Sequence, residues 1–172
     1  MQREYGLKMM DDKSELFVVV DEEDNIISYR TRYDCHHDKH LIHRAVDVVI
    51  MNDKGEILLQ KRSKHKDTDT GKYDVAVSGH VGKGESYEAC AQREMMEEIG
   101  VLVELAFVKK MLVRFPEETE YDAIFQATHN GPFKINKDEI DEITFVAKDD
   151  IKDNMFNLTM FARKALEAVG IL

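Results

Sequence analysis

Hydrophobic positions along most of this chain fall into short runs, alternating or continuous, and they switch to a 3.6-residue period in two places. Leu16 to Val20 (LFVVV) predicts a strand, the polar stretch Asp21 to Asn25 a turn, and Ile26 to Tyr33 a returning strand, so the N-terminal part reads as a hairpin. Ala45 to Met51 is apolar and β-branched, Asn52 to Gly55 has turn chemistry, and Glu56 to Arg62 alternates again, which predicts a second hairpin. Tyr73 to Val77 reads as a short strand entering a glycine-rich turn, and Leu105 to Val113, Tyr121 to Ala127 and Ile140 to Val146 as later strands. Glu88 to Ile99 carries the helical period, with Ala91, Met95 and Ile99 on one face, Ser86 placed to cap its start and Gly100 to stop it. Asn157 to Val169 predicts a second amphipathic helix, with Leu158, Phe161, Ala165 and Leu166 inward. The pattern alone specifies mixed α/β.

No linker rich in Pro, Gly or Ser and no internal repeat divides the chain, so residues 1–172 are expected to form one domain, with 1–15 polar and peripheral and 16–33 a hairpin extension. A hydrophobic content of 43% with 34% charged residues suits a globular domain. No apolar run approaches the roughly 18 residues of a membrane span, and MQREYGLKMMDDK lacks an apolar signal region, so a cytoplasmic location and no membrane partner are expected. Cys35 and Cys90 do not make a disulfide framework. A formal charge of −10 weighs against a nucleic-acid polymer as partner but not against a small phosphorylated metabolite, because a divalent cation can supply positive charge locally. A monomer and a homodimer both remain open.

The densest chemistry lies in Gly79 to Val101, GHVGKGESYEACAQREMMEEIGV. Glu94, Glu97 and Glu98 stand at i, i+3 and i+4, which turns three carboxylates the same way from a helix. Their repulsion would be relieved by a cation, and closely placed oxygen donors suit Mg²⁺, with Mn²⁺ as a substitute. A solvated acidic face is the plainer alternative. Gly79, Gly82 and Gly84 make a tight turn before the helix and leave backbone N–H groups free to approach a phosphate.

The spacing of Gly79, Glu85, Arg93, Glu94, Met95, Glu97, Glu98, Gly100 and Val101 resembles a complete Nudix box. The resemblance implies an α/β/α sandwich with a mixed β-sheet and Mg²⁺-dependent hydrolysis of a phosphoanhydride in a nucleoside di- or triphosphate or another diphosphate-linked metabolite. It makes Glu94, Glu97 and Glu98 the metal ligands and catalytic carboxylates, and it gives Arg93 the structural task of holding Glu85. Glu139 and Glu142 match the region where several Nudix enzymes carry an additional carboxylate over the metals. Arg44, Arg62 and Lys72 are candidates to receive phosphate charge; Gln60 and Arg62 share one strand face, Lys61 the other. The segment CHHDKHLIH, from Cys35 to His43, invites a zinc site, but with no CxxC pair and no evident second cluster it reads as a polar loop entering a strand.

Flanking segments, among them HLIHRAVDVVIMNDKGEILLQKRS and GKYDVAVSGHVGKGESYEA, resemble the isopentenyl-diphosphate isomerase branch. That branch places a catalytic cysteine where this chain has Ser78 and a proline where it has Val81, while His80 and Glu120 agree with its pattern. A serine hydroxyl is far less acidic than a thiol, and the box here is intact. The expectation is therefore a hydrolase on an isomerase-like scaffold. Isomerase chemistry and a non-catalytic module that binds a diphosphate metabolite are the alternatives.

Overall fold

A computed structural model describes residues 13–66, 68–153 and 156–172. Most of the N-terminal stretch expected to be peripheral, residues 1–12, lies outside them. The strands are β1 (Leu16–Val20), β2 (Ile26–Thr31), β3 (Ile42–Met51), β4 (Ile57–Arg62), β5 (Tyr73–Val75), β6 (Val77–His80), β7 (Ala106–Arg114), β8 (Thr119–Thr128) and β9 (Ile140–Val146). The helices are α1 (Arg32–Cys35), α2 (Tyr87–Ile99), α3 (Lys148–Lys152) and α4 (Met160–Ala168). Three elements depart from the sequence reading. The strand expected from Tyr73 to Val77 breaks at Ala76 into β5 and β6, and β6 runs on to His80 where a glycine turn was expected, because it pairs with Ala45 to Val48 of β3. The strand expected to reach Tyr33 gives way at Thr31, whose hydroxyl accepts from the Asp34 amide and starts the turn of α1. The short helix α3 carries too few apolar positions to declare a period.

β3 organises the sheet. It pairs antiparallel with β1 and β6 and parallel with β8 over its whole length, and β8 in turn carries β7. β4 leaves β3 at Met51 and pairs with β5 and β9, so the mixed sheet splays into two arms with a cleft between them. Alternation along β3 separates two cores. Val46, Val48 and Ile50 pack with Ala91, Met95 and Ile99 of α2, whereas Val49 packs with Ala162, Ala165 and Leu166 of α4. Helices thus cover both faces, giving the α/β/α sandwich. Met95 and Ile99 are fully buried, about 2 kcal/mol of apolar transfer each.

The ends of α2 have definite causes. The Ser86 hydroxyl accepts from the Ala89 amide, and Gly100 leaves the helix at φ +70°, a conformation that side chains rarely adopt. The backbone Lys134 N–H donates to Ile99 O and Asn136 N–H to Glu98 O, so the chain before β9 satisfies carbonyls of the last turn. This fixes α2 along the cleft with Glu94 and Glu98 facing inward.

Candidate active site

A cavity of about 90 Å³ opens in the cleft between the two arms of the sheet. Glu94 and Glu98 line it from α2, Gln60 and Arg62 from β4, Ser78, Gly79 and His80 from β6, Glu118 from the turn before β8 and Glu120 from the start of that strand. Lys66, Arg32 and His36 complete its polar wall.

Glu94 and Glu98 are each about 7% exposed, one turn apart on the helix. Gln60 Nε2 donates to Glu98 Oε2 at 3.0 Å. Burial, and then the negative charge of Glu94, push the Glu98 carboxyl well above its ordinary range. Gly79 is required beside them: a β-carbon there would lie 2.4 Å from Glu94 Cγ, so only a glycine lets β6 pass this close to the carboxylate. Glu97 faces outward and is exposed. Arg93 gathers the acidic groups around it, donating to Glu85 Oε1 at 2.6 Å, Glu94 Oε1 at 2.5 Å and Glu97 Oε2 at 3.3 Å. Burial opposes the charge of Arg93, but Glu85 and Glu94 more than offset it and hold the guanidinium protonated.

The other residues singled out in the sequence scatter. Glu139 lines the cavity and accepts from Lys66 Nζ at 2.5 Å. Arg62 lines it as well, its guanidinium bonded to Thr68 O and 3.6 Å from Asp74. Glu142 lies outside the lining and accepts from the Tyr73 hydroxyl at 2.8 Å. Lys72 bonds Asp69 at 2.6 Å, away from the cavity. Arg44 sits on the α2 side of β3, where strand alternation must put it if His43 and Ala45 face the cleft; it donates from Nε to Asp24 at 2.7 Å and stacks on Tyr87. Gly82 N–H donates to Glu85 Oε2 at 3.0 Å, and Gly84 turns the chain at φ +85°, so both shape the loop rather than the cavity wall.

The Cys35–His43 segment requires a correction. It is not simply a polar loop: His36 and His43 meet His80 and Glu118, with one ligand atom from each within 4.8 Å of the others. The second cluster was invisible because it comes from β6 and the turn before β8, which strand pairing alone brings alongside β3. The His43 side chain is fully buried, with its Nε2 ion-paired to Glu118 at 3.5 Å and Glu120 at 3.3 Å and its Nδ1 buried without a hydrogen-bond partner. Glu118 Oε2 also lies 3.4 Å from His36 Nε2. Burial opposes charge on His43, but Glu118 and Glu120 push it up to about 9; burial and the neighbouring His36 and Arg32 hold His80 well below its usual value. Three imidazoles and a carboxylate converging on one point make a donor set that fits a divalent cation, which would take the place of the proton that His43 shares with the acids. His37 and His40 stay outside; His37 Nδ1 contacts Tyr33 O at 2.7 Å.

These features, an intact carboxylate helix and a metal-competent cleft inside an α/β/α sandwich, define a Nudix-type hydrolase. The NUDIX domain family matches residues 41–169, and the chain belongs to it. An uncharacterized Nudix hydrolase of Yersinia pestis is 33% identical over 150 residues, 86% of this chain and 81% of that one. A prenyl-diphosphate phosphatase of Methanosarcina mazei is 41% identical over 106 residues, 62% of this chain and 61% of its own length. An isopentenyl-diphosphate Delta-isomerase of Photorhabdus laumondii is 34% identical over 137 residues, covering 77% of each chain. Among solved structures, DR0079 of Deinococcus radiodurans superposes with a TM-score of 0.77 at 19% identity, covering 90% of this chain and 99% of that one, a likeness of fold. Relatives thus come from more than one Nudix subfamily. Among the described residues no helix is long and apolar enough to cross a membrane.

Proposed function

We propose that this chain hydrolyses a phosphoanhydride in a small diphosphate-linked metabolite, with Mg²⁺ held by Glu94 and Glu98 and with Glu97 at the margin of the same site. The observation that carries this reading is the convergence of two buried carboxylates, Glu94 and Glu98, on the cavity that Arg62 and Lys66 also line. Arg93 already pairs with Glu94 from one side, and a metal cation would neutralise Glu98 and the remaining charge of the pair from the cavity side; an all-oxygen donor set favours Mg²⁺ or Mn²⁺. When bound, Mg²⁺ supplies charge neutralisation at phosphate oxygens and a lowered pKa for a water ligand. Arg62, Lys66 and Arg32 are the side chains that can receive the remaining phosphate charge. Gln60 keeps Glu98 turned toward the cavity, and Glu139, already at its edge with Lys66, is placed to take the proton of an attacking water.

The imidazole cluster beside this site offers a softer donor set suited to Zn²⁺, Mn²⁺ or Fe²⁺, so one cleft has room for two chemically different cations. The substrate is a nucleoside di- or triphosphate or another diphosphate ester, and the Methanosarcina mazei relative adds short prenyl diphosphates to the first panel. Isomerisation is the second reading, favoured by the Photorhabdus laumondii relative and by His80 and Glu120 in the cleft; Ser78 argues against it. Incubation with each candidate and Mg²⁺ in deuterated water, with products identified by mass, separates these readings. Phosphate, diphosphate or a nucleoside monophosphate among the products supports hydrolysis. Dimethylallyl diphosphate with deuterium incorporated would replace hydrolysis by isomerisation.

A further inference from the structure

Ring contacts around the imidazole cluster converge on Phe17, a residue of β1 in the N-terminal hairpin that the sequence marks only as an extension. Its side chain is fully buried and lies against all three histidines of the cluster. It stacks on His80 with ring centroids 4.4 Å apart and planes 15° from parallel, and on His43 at 5.6 Å and 25°. His36 is tilted against it at 5.8 Å and 55°, and the Arg32 guanidinium lies 5.8 Å from the ring centroid. Val19, Cys35 and Leu41 complete the apolar packing around it.

The backbone holds this ring in place from both sides. Phe17 pairs with Arg30 of β2 and bridges to Gly82, two residues past His80. The Val18 amide donates to Val81 O at 3.1 Å, and the Lys83 amide to Leu16 O at 3.3 Å. Val19 stands opposite His43 in the β1·β3 ladder. Directly opposed residues of an antiparallel pair share a face, so alternation puts Phe17 and Val19 on the side of His43, and Val18 on the side of α2. The hairpin is thereby built into the site: one ring of β1 backs imidazoles that come from β3, from β6 and from the end of α1.

An imidazole can offer a nitrogen to a shared ion only while its plane is correctly turned. With a flat ring packed on its face, rotation of His80 about its Cβ–Cγ bond would drive the imidazole edge into Phe17, and a close-packed interior has no room for that. An aliphatic side chain of similar bulk fills the space without setting a plane. Phe17 has no donor atom of its own, so it acts through the histidines. We infer that Phe17 is a positioning residue of the imidazole site, fixing the ring planes of His80 and His43 so that their nitrogens are already aligned for a divalent cation.

The inference rests on the reading of His36, His43, His80 and Glu118 as a cation site, and one arm of its test needs no ion. In metal-free wild-type protein, NMR should place the carbon-bound ring protons of His80 upfield of those of an ordinary histidine, displaced by the ring current of Phe17. Phe17→Leu should abolish that displacement. Zn²⁺ affinity, read by competition with a chromophoric chelator, should fall about tenfold in Phe17→Leu, the scale for a group that orients metal ligands. Val18→Ala is the control, since it trims a side chain as deeply buried on the same strand but on the other face. It should lower the melting temperature and leave Zn²⁺ affinity within about twofold. If Phe17→Leu does not fold, Phe17→Met replaces it, filling the space with a flexible chain that has no plane. Equal losses of Zn²⁺ affinity in the Phe17 and Val18 variants would reveal only a weakened core and overturn the inference. Undisplaced His80 protons in a wild-type protein that binds Zn²⁺ would overturn it alone, whereas displaced protons in a protein that binds no Zn²⁺ would defeat the cation reading of the cluster.

Discussion

Two potential cation sites share one cleft, and they are built in opposite ways. Glu94 and Glu98 come from a single helix, where a separation of four residues is enough to place both carboxylates on one face. His36, His43, His80 and Glu118 come from a loop, two strands and a turn, and only the pairing of β3 with β6 and β8 assembles them. The helical site is held by local geometry plus one glycine; the imidazole site is held by the register of a sheet. The first depends on the sheet only where Gly79 passes Glu94 and Gln60 reaches Glu98, whereas the second depends on it for every ligand but His36. The donor chemistry differs as well: oxygens that suit Mg²⁺ stand beside nitrogens that suit transition metals.

The largest effect that would separate the two sites belongs to the helix. Glu98→Gln should lower kcat by about 100-fold or more, the scale of a lost electrostatic catalytic contact, while leaving metal-free thermal stability level or slightly raised. The stability prediction follows because the amide removes a buried charge crowded by Glu94. Steady-state rates at saturating Mg²⁺, with melts in chelator, check both parts. Near-wild-type turnover would remove Glu98 from the catalytic set.

His80→Ala should act on the other site. Zn²⁺ affinity, measured by competition with a chromophoric chelator, should fall at least about tenfold, with a smaller effect on the Mg²⁺ dependence of hydrolysis. An equal loss in both would mean that the cations share ligands and that the two sites are one. Gly79→Ala tests the contact between them. The added β-carbon would lie 2.4 Å from Glu94 Cγ, so Glu94 must move, and Mn²⁺ affinity at the helix should weaken about tenfold with Zn²⁺ binding little changed.

The same contrast explains what was legible in the sequence. Ser86, Ala91, Met95, Ile99 and Gly100 announced α2 because capping, period and stop all act within a few residues. Glu94 and Glu98 inherited that clarity. Arg44 and His43 could not be sorted without knowing which face of β3 looks into the cleft, and a shift of one residue would exchange them. Arg44 was therefore a plausible phosphate ligand in the sequence and a partner of Asp24 in the fold. Glu118 and Lys66 carry no local signal; they matter because β8 runs parallel to β3 and because the β4–β5 connection folds over the cavity. Asp47 went unread in a strand taken as apolar, and only the fold shows it buried together with Asp122 of the neighbouring strand as a polar floor among valines.

The smallest expected effect concerns that floor. Asp122 is pushed up to about 8 in the folded protein from an ordinary value near 3.8, so the folded state holds its proton more tightly than the unfolded chain. Its favourable contribution is complete below about pH 4 and is lost as pH rises through about 8. Asp122→Asn does not titrate at this position, and its stability relative to wild type should improve by about 1 kcal/mol per pH unit between pH 6 and 8. Urea unfolding across that range reads the difference; a constant offset would show that the carboxyl is not perturbed by its surroundings.

The central claim is that the hydrolytic cation belongs to the helix carboxylates. Crystals of the wild-type protein soaked with Mn²⁺ and examined by anomalous diffraction test it directly. The account predicts a peak bonded to Glu94 and Glu98, whether or not a second peak fills the imidazole cluster. A peak at His36, His43, His80 and Glu118 alone, in crystals that turn over a diphosphate with Mn²⁺, would contradict it.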